Sequence, residues 1–173
     1  MALAATPLAI AVVALIAGLL APPPPTLNGR AIAADGDSLR MGVTRIRILG
    51  IDAPEFGQTC TGQDGQSWNC GALAHSELSR LVATHTVTCY ADGIDRYGRT
   101  LARCRAAGLD LGEAMVRAGM AVADGDYGLI ELEARAARRG VWSGPFDRPA
   151  DWRAHHGDDV GFDFFAWIRG WLR

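Results

Sequence analysis

The chain lacks the single motifs that would announce its chemistry. It has no C-x-x-C pair, so a structural zinc site has no support. Its four histidines (His75, His85, His155, His156) show no H-x-x-x-H spacing and read as surface or tail residues. No G-x-S-x-G elbow is present, which argues against a Ser-His-Asp hydrolase. The 21 glycines are scattered at turns and form no dinucleotide or phosphate-loop pattern. Nor is there an excess of positive charge. A net charge of −2 and a pI near 6.0 exclude a strongly basic, sequence-tolerant nucleic-acid binder. Any phosphate contact must therefore be local. Internal repeats are absent, and the only low-complexity tract is a run of prolines.

Charge is missing altogether from Met1 to Ala21. At about 1.5 Å per helical residue this apolar segment just crosses a bilayer core of about 30 Å. It also has the character of a secretory signal without the usual Lys/Arg n-region, and Pro22 directly after Ala21 hinders cleavage there. Signal peptide and uncleaved anchor both stay open, and either implies export, to a secreted, periplasmic or membrane-anchored location. Pro22 to Pro25 then form a stiff extended spacer. In an oxidising compartment the even cysteine set favours disulfides over metal. Cys60 and Cys70 bracket a polar, Gly-rich loop that needs closing, and Cys89 and Cys104 fall opposite one another across a turn at 93–98. The expected bridges are Cys60–Cys70 and Cys89–Cys104, each stabilising the fold by roughly 2–4 kcal/mol.

The chemistry gathers in residues 35–55, DGDSLRMGVTRIRILGIDAPE. Between Asp35, Asp37 and Asp52, Glu55 at its two ends, Thr44–Ile48 alternates polar and apolar, placing Ile46 and Ile48 on one face and Arg45 and Arg47 on the other. A turn at Gly42-Val43 folds the Leu39–Met41 run back on it. That hairpin brings Asp37 to the Asp52 end with Arg47 beside both. Hard oxygen donors next to a guanidinium suit a divalent cation and a phosphate ester. Acidic residues at strand ends are also common turn formers, so this stretch alone does not decide. A second informative turn, Asp95-Arg96-Tyr97-Gly98-Arg99, offers a further guanidinium in Arg99.

Three helices are expected. One spans 73–84 with Leu78, Leu81 and Val82 inward. The second spans 110–118, started by Asp110 and Glu113 in capping-box spacing and stopped by Gly119. The third spans 129–139 with Leu129, Leu132 and Ala136 inward. Strands come first and then alternate with helices, which fits an α+β fold built on a small, mostly antiparallel barrel decorated by helices. After Trp142 the prolines interrupt regular structure, and the terminal FDFFAWIRGWLR reads as an amphipathic helix that docks on its own domain or on a membrane interface.

Over roughly Asn28 to Ser143 the sequence resembles the staphylococcal-nuclease-like (thermonuclease) family. The resemblance rests on D-G-D-S, R-I-L-G-I-D-A-P-E, D-R-Y-G-R, L-G-E-A-M-V-R-A-G and E-A-R-A-A-R-R-G-V-W-S in that order. It implies a five-stranded OB-type β-barrel with three helices and calcium-dependent hydrolysis of DNA and RNA, single-stranded or denatured, to products carrying a 3′-phosphate. By motif position, Asp37 and Asp52 look like the calcium carboxylates and Ala53 like a ligand through its carbonyl. Glu55 looks like the residue that activates water, Arg47 and Arg99 like the phosphate-binding guanidiniums, and Asp35 like an acid near the metal acting through water. The implied organisation is a signal or anchor and spacer over 1–26, a nuclease-like domain over 27–144 and an extension over 145–173. No protein partner is evident; the membrane is a partner if the N-terminus is uncleaved. The sequence departs from the family in the loop after Glu55, which is Gly- and Gln-rich where a lysine-rich loop is usual, and in AVADGDYG after Met120, where the family's pocket tyrosines are missing unless Tyr127 substitutes. A catalytically silent OB-fold binding module is the competing expectation.

Overall fold

A computed structural model describes residues 24–156. The apolar segment at 1–21 and the aromatic C-terminal run lie outside the described residues. Among the described residues, no helix is long and apolar enough to cross a membrane.

The hairpin read from the sequence is the centre of the fold. β3 (Ser38–Met41) and β4 (Thr44–Ile48) pair antiparallel, with Leu39 opposite Ile46 and Ser38 opposite Arg47. Gly42 turns the chain at φ +60°, where a side chain is strained, and Val43 at the tip is fully exposed. Leu39, Ile46 and Ile48 are buried; burying each contributes about 1.5–3 kcal/mol. β1 (Thr26–Gly29), β8 (Val87–Ile94), β9 (Thr100–Ala106), β4, β3 and β2 (Ile32–Ala33) follow one another in the sheet, and β10 (Leu109–Asp110) adds to β9. Every pairing in that sheet is antiparallel except β4 with β9. The result is an α+β fold on a curled, OB-type sheet. Two short ladders complete it: β5 (Ile51–Asp52) with β11 (Val122–Ala123), and β6 (Cys60–Thr61) with β7 (Ser67–Trp68).

Both disulfides are those expected. Cys89 and Cys104 are directly paired across β8 and β9, and Cys60–Cys70 closes the β6–β7 loop. Helix α1 (Cys70–Val82) starts earlier than its periodicity suggests because the Asn69 side chain caps it, accepting from the Ala72 amide at 2.9 Å. Its Leu78, Leu81 and Val82 are buried, as expected. Helix α2 (Leu111–Arg117) is capped by Asp110, which accepts from the Glu113 amide, and Gly119 follows it at φ +69°.

Two expectations are corrected. Helix α3 (Gly128–Ala136) turns a different face inward: Leu129 and Leu132 are 78% and 59% exposed, while Glu131 and Ala134 are buried. Ile130 packs against the core and Ala134 is buried on that inward side, and Glu131 is satisfied there because its carboxylate accepts from the Ala123 amide of β11 and pairs with Arg135. The barrel also carries more than three helices, since a short 3-10 turn (Gly140–Ser143) leads into a further helix, α4 (Pro149–His156).

Candidate active site

Asp37 sits at the start of β3, only 4% exposed. Its amide donates to the Asp35 carboxylate at 3.0 Å, which sets the turn. Its own carboxylate accepts from the Ser38 hydroxyl at 3.0 Å and from the Ala53 amide at 3.2 Å. Arg47, on the outer face of β4, places Nη1 2.5 Å from Asp37 Oδ2 and Nη2 3.0 Å from Asp52 Oδ1. The alternation of β4 and the β3–β4 register thus produce the juxtaposition expected from the sequence. Burial pushes the Asp37 carboxyl up to about 7, the neighbouring Asp35 charge adds to this, and Arg47 opposes it. Asp37 is therefore a buried acid whose ionised form gains from any further positive charge.

Arg99 reaches the site through the parallel β4–β9 pairing, which sets Arg47 beside Leu101. The hairpin tip holds it: Asp95 accepts from the Tyr97 and Arg99 amides, each at 2.9 Å, and from Arg99 Nε at 2.7 Å. Against the cost of burial, these bonds keep the Asp95 carboxyl below the usual range.

Glu55 lies in the loop after β5, and that loop is clamped from several sides. The Gln58 amide donates to the Glu55 carbonyl at 2.7 Å, the Gly71 amide donates to the Gln58 carbonyl at 3.2 Å, and Cys60–Cys70 closes the loop. Gln58, fully buried, accepts from the Glu55 amide at 3.2 Å and donates to the Asp147 carbonyl at 2.7 Å. Gly36 makes the floor, since a Cβ there would meet Ala53 Cβ at 2.6 Å and Ala74 Cβ at 2.9 Å.

These elements enclose a cavity of about 60 Å³ lined by Asp35, Gly36, Asp37, Arg47, Ala53, Pro54, Glu55 and Arg99. Both candidate phosphate-binding arginines and the candidate water-activating glutamate therefore share one cavity. Asp52 does not line it; its carboxylate turns to Arg47 and to Arg153 of α4, which places Nη2 3.0 Å from Asp52 Oδ2 and Nη1 2.8 Å from Glu55 Oε1. Among the described residues, no three His, Cys, Asp or Glu side chains converge as a ready metal cluster. The donors present are nonetheless hard oxygens, and one of them, on Asp37, is buried at a cost that a cation would relieve. That chemistry fits a calcium-like ion. Tyr127 does not line the cavity; its hydroxyl donates to Asp110 at 2.9 Å and its ring covers Gly112. Sequence reasoning missed Gln58 and Arg153. Neither carries a periodic or motif signal, and both act on partners brought near by packing.

The OB-type sheet sets carboxylates and guanidiniums around one cavity, and comparison with known proteins gives the fold a family. The family described as "Staphylococcal nuclease homologue" matches residues 45–144. The succinoglycan biosynthesis protein ExoI of Rhizobium meliloti (strain 1021) is 32% identical over 121 residues, 66% of this chain and 63% of that protein. A probable endonuclease lcl3 of Botryotinia fuckeliana (strain B05.10) is 30% identical over 73% of this chain and 54% of its own length. A micrococcal nuclease of Shigella flexneri is 33% identical over 69% of this chain and 75% of its own length. The chain belongs to the staphylococcal nuclease homologue family. It spans less than two thirds of the length of the first two of these relatives.

Proposed function

We propose that this protein is an exported, calcium-dependent nuclease that hydrolyses phosphodiester bonds of DNA and RNA, with single-stranded or denatured chains as substrate. The observation that carries the reading is the shared cavity, in which Glu55 stands with Arg47 and Arg99 beside the buried Asp37. The Asp37 and Asp52 carboxylates and the Ala53 carbonyl would hold the ion. Bound there, calcium would supply Lewis-acid stabilisation of a phosphate oxygen. Glu55 orients a water and accepts its proton as the oxygen attacks phosphorus. Arg47 and Arg99 bind the phosphate and offset the charge that grows on its oxygens. The P–O5′ bond breaks, the 5′ oxygen takes up a proton from solvent, and the 3′-phosphate stays on the other fragment. Asp95 holds Arg99 in position and Gln58 holds the Glu55 loop. The apolar N-terminal segment and the two disulfides support export, with membrane attachment if that segment is retained.

The test is hydrolysis of a fluorescent single-stranded DNA and a matching RNA by the full chain, with calcium and with chelator. Calcium-dependent cleavage that falls by two or more orders of magnitude in Glu55→Ala is expected. Binding without cleavage, insensitive to chelator, would replace the nuclease by a silent OB-fold binding module.

A further inference from the structure

Helix α4 reaches the site as a separate element, and its two ends are held differently. The segment leading into it is fixed to the disulfide-closed loop. The Thr61 amide donates to the Pro145 carbonyl at 3.0 Å, Gln58 donates to the Asp147 carbonyl at 2.7 Å, and a Cβ on Gly144 would lie 2.3 Å from the Thr61 carbonyl. Pro149, the first helical residue, is buried. Past Pro149 no residue of α4 is buried. Among the described residues, the hydrogen bonds and ion pairs tying the helix itself to the barrel are those of Arg153. The helix is thus anchored at its start and gripped by one side chain near its end.

That grip falls on two carboxylates assigned to the chemistry. Arg153 Nη1 and Nη2 each lie 3.0 Å from one oxygen of Asp52, a bidentate pair, and Nη1 also lies 2.8 Å from Glu55 Oε1. A divalent cation on Asp52 needs an oxygen, and Arg153 holds both, Oδ2 alone and Oδ1 together with Arg47, so a third positive group there adds repulsion. The same pairing occupies Glu55 Oε1, an oxygen that would otherwise face water. Arg47 does not make the pairing redundant, because it spans Asp37 and Asp52 Oδ1 and leaves Asp52 Oδ2 and Glu55 to Arg153. The Arg153 side chain is 42% exposed, so its guanidinium borders water as well as the site.

We infer that Arg153 is a built-in counter-cation, an autoinhibitory latch that holds Asp52 and Glu55 in an inactive pairing and is displaced when a divalent cation binds at Asp52. The inference rests on the calcium reading proposed above. In the latched protein the acidic site is neutralised without metal; on release Glu55 is freed to accept a proton from water, and α4 pivots about Pro149.

Calorimetric titration of the full chain with calcium tests this without any measurement of turnover. Wild type is compared with Arg153→Ala, Arg153→Lys and Asp52→Asn, each checked by thermal melting for folding. Arg153→Ala is expected to bind calcium about tenfold more tightly, equivalent to about 1.4 kcal/mol. Arg153→Lys, whose ammonium cannot grip both oxygens of Asp52 in the same fork, is expected to fall between the two and carries the test if the alanine variant does not fold. Asp52→Asn is expected to lose binding. Equal or weaker calcium affinity in the Arg153 variants would overturn the latch and leave the calcium reading standing. No calcium binding in any of the four would overturn both.

Discussion

Gly71 offers a sharp test of how the Glu55 loop is held, because two lines of reasoning give opposite signs for Gly71→Ala. The residue lies in the first turn of α1, where alanine is favoured over glycine by up to about 1 kcal/mol on helix propensity. The packing says otherwise. A Cβ built on Gly71 would lie 1.7 Å from the Glu55 carbonyl oxygen, 2.6 Å from the Glu55 carbonyl carbon and 2.9 Å from the Phe56 carbonyl carbon. The obstacle is backbone, with no flexible side-chain end to yield. An ordinary contact therefore requires the loop or the helix start to shift by about 1.5 Å, against the Cys60–Cys70 bridge and the buried Gln58. Overpacking of this kind costs about 1–3 kcal/mol. A displacement of about 1 Å at a group that must meet an attacking water costs on the order of 100-fold in rate. Gly71→Ala is thus expected to melt lower than wild type and to cleave single-stranded DNA about 100-fold more slowly, with calcium affinity little changed. The control is Gly128→Ala, at the start of α3, where an added Cβ meets nothing within 4 Å and φ is not positive; it is expected to melt at or slightly above wild type. A Gly71→Ala protein with wild-type melting and turnover would refute the close packing on which the positioning of Glu55 depends.

Two further predictions concern the frame. Replacing Cys60 and Cys70 together by alanine opens a loop of sequence separation 10 and is expected to lower stability by about 2–3 kcal/mol, read by denaturant unfolding; an unchanged midpoint would show that hydrogen bonds alone fix the Glu55 loop. Tyr127 is the second. Burial, and then its bond to Asp110, push the phenol up to about 12 from an ordinary 10.0. The unfolded chain therefore releases this proton first, and the stabilisation is full below about pH 10 and fades as pH rises toward 12. The stability difference between wild type and Tyr127→Phe should shrink over that window, and a difference that stays constant there would refute the assignment.

The local order of the residues determined a good deal of this protein. Alternation in β4 set Ile46 and Ile48 against the core and Arg47 outward, and the Gly42 turn returned Asp37 to its side. The spacing of Cys89 and Cys104 across one hairpin made their pairing readable, as did the short loop between Cys60 and Cys70. Such features are legible because neighbours in sequence determine them: a period of two, a positive φ, a short loop. Helix α3 marks the limit. Its periodicity showed an apolar stripe at Leu129 and Leu132, but the face turned inward carries Ile130, Ala134 and Glu131, the last meeting the Ala123 amide. Tertiary structure likewise decided the parallel pairing of β4 with β9 that brings Arg99 into one cavity with Arg47, and the close seat of Gly71 under Glu55. Arg153 is the extreme case, since it meets Asp52 and Glu55 across separations of 101 and 98 residues. A periodic pattern states which side chains share a face, but the partner of that face is set by the lowest free energy of the whole packing. A charge brought from so far along the chain leaves no local trace.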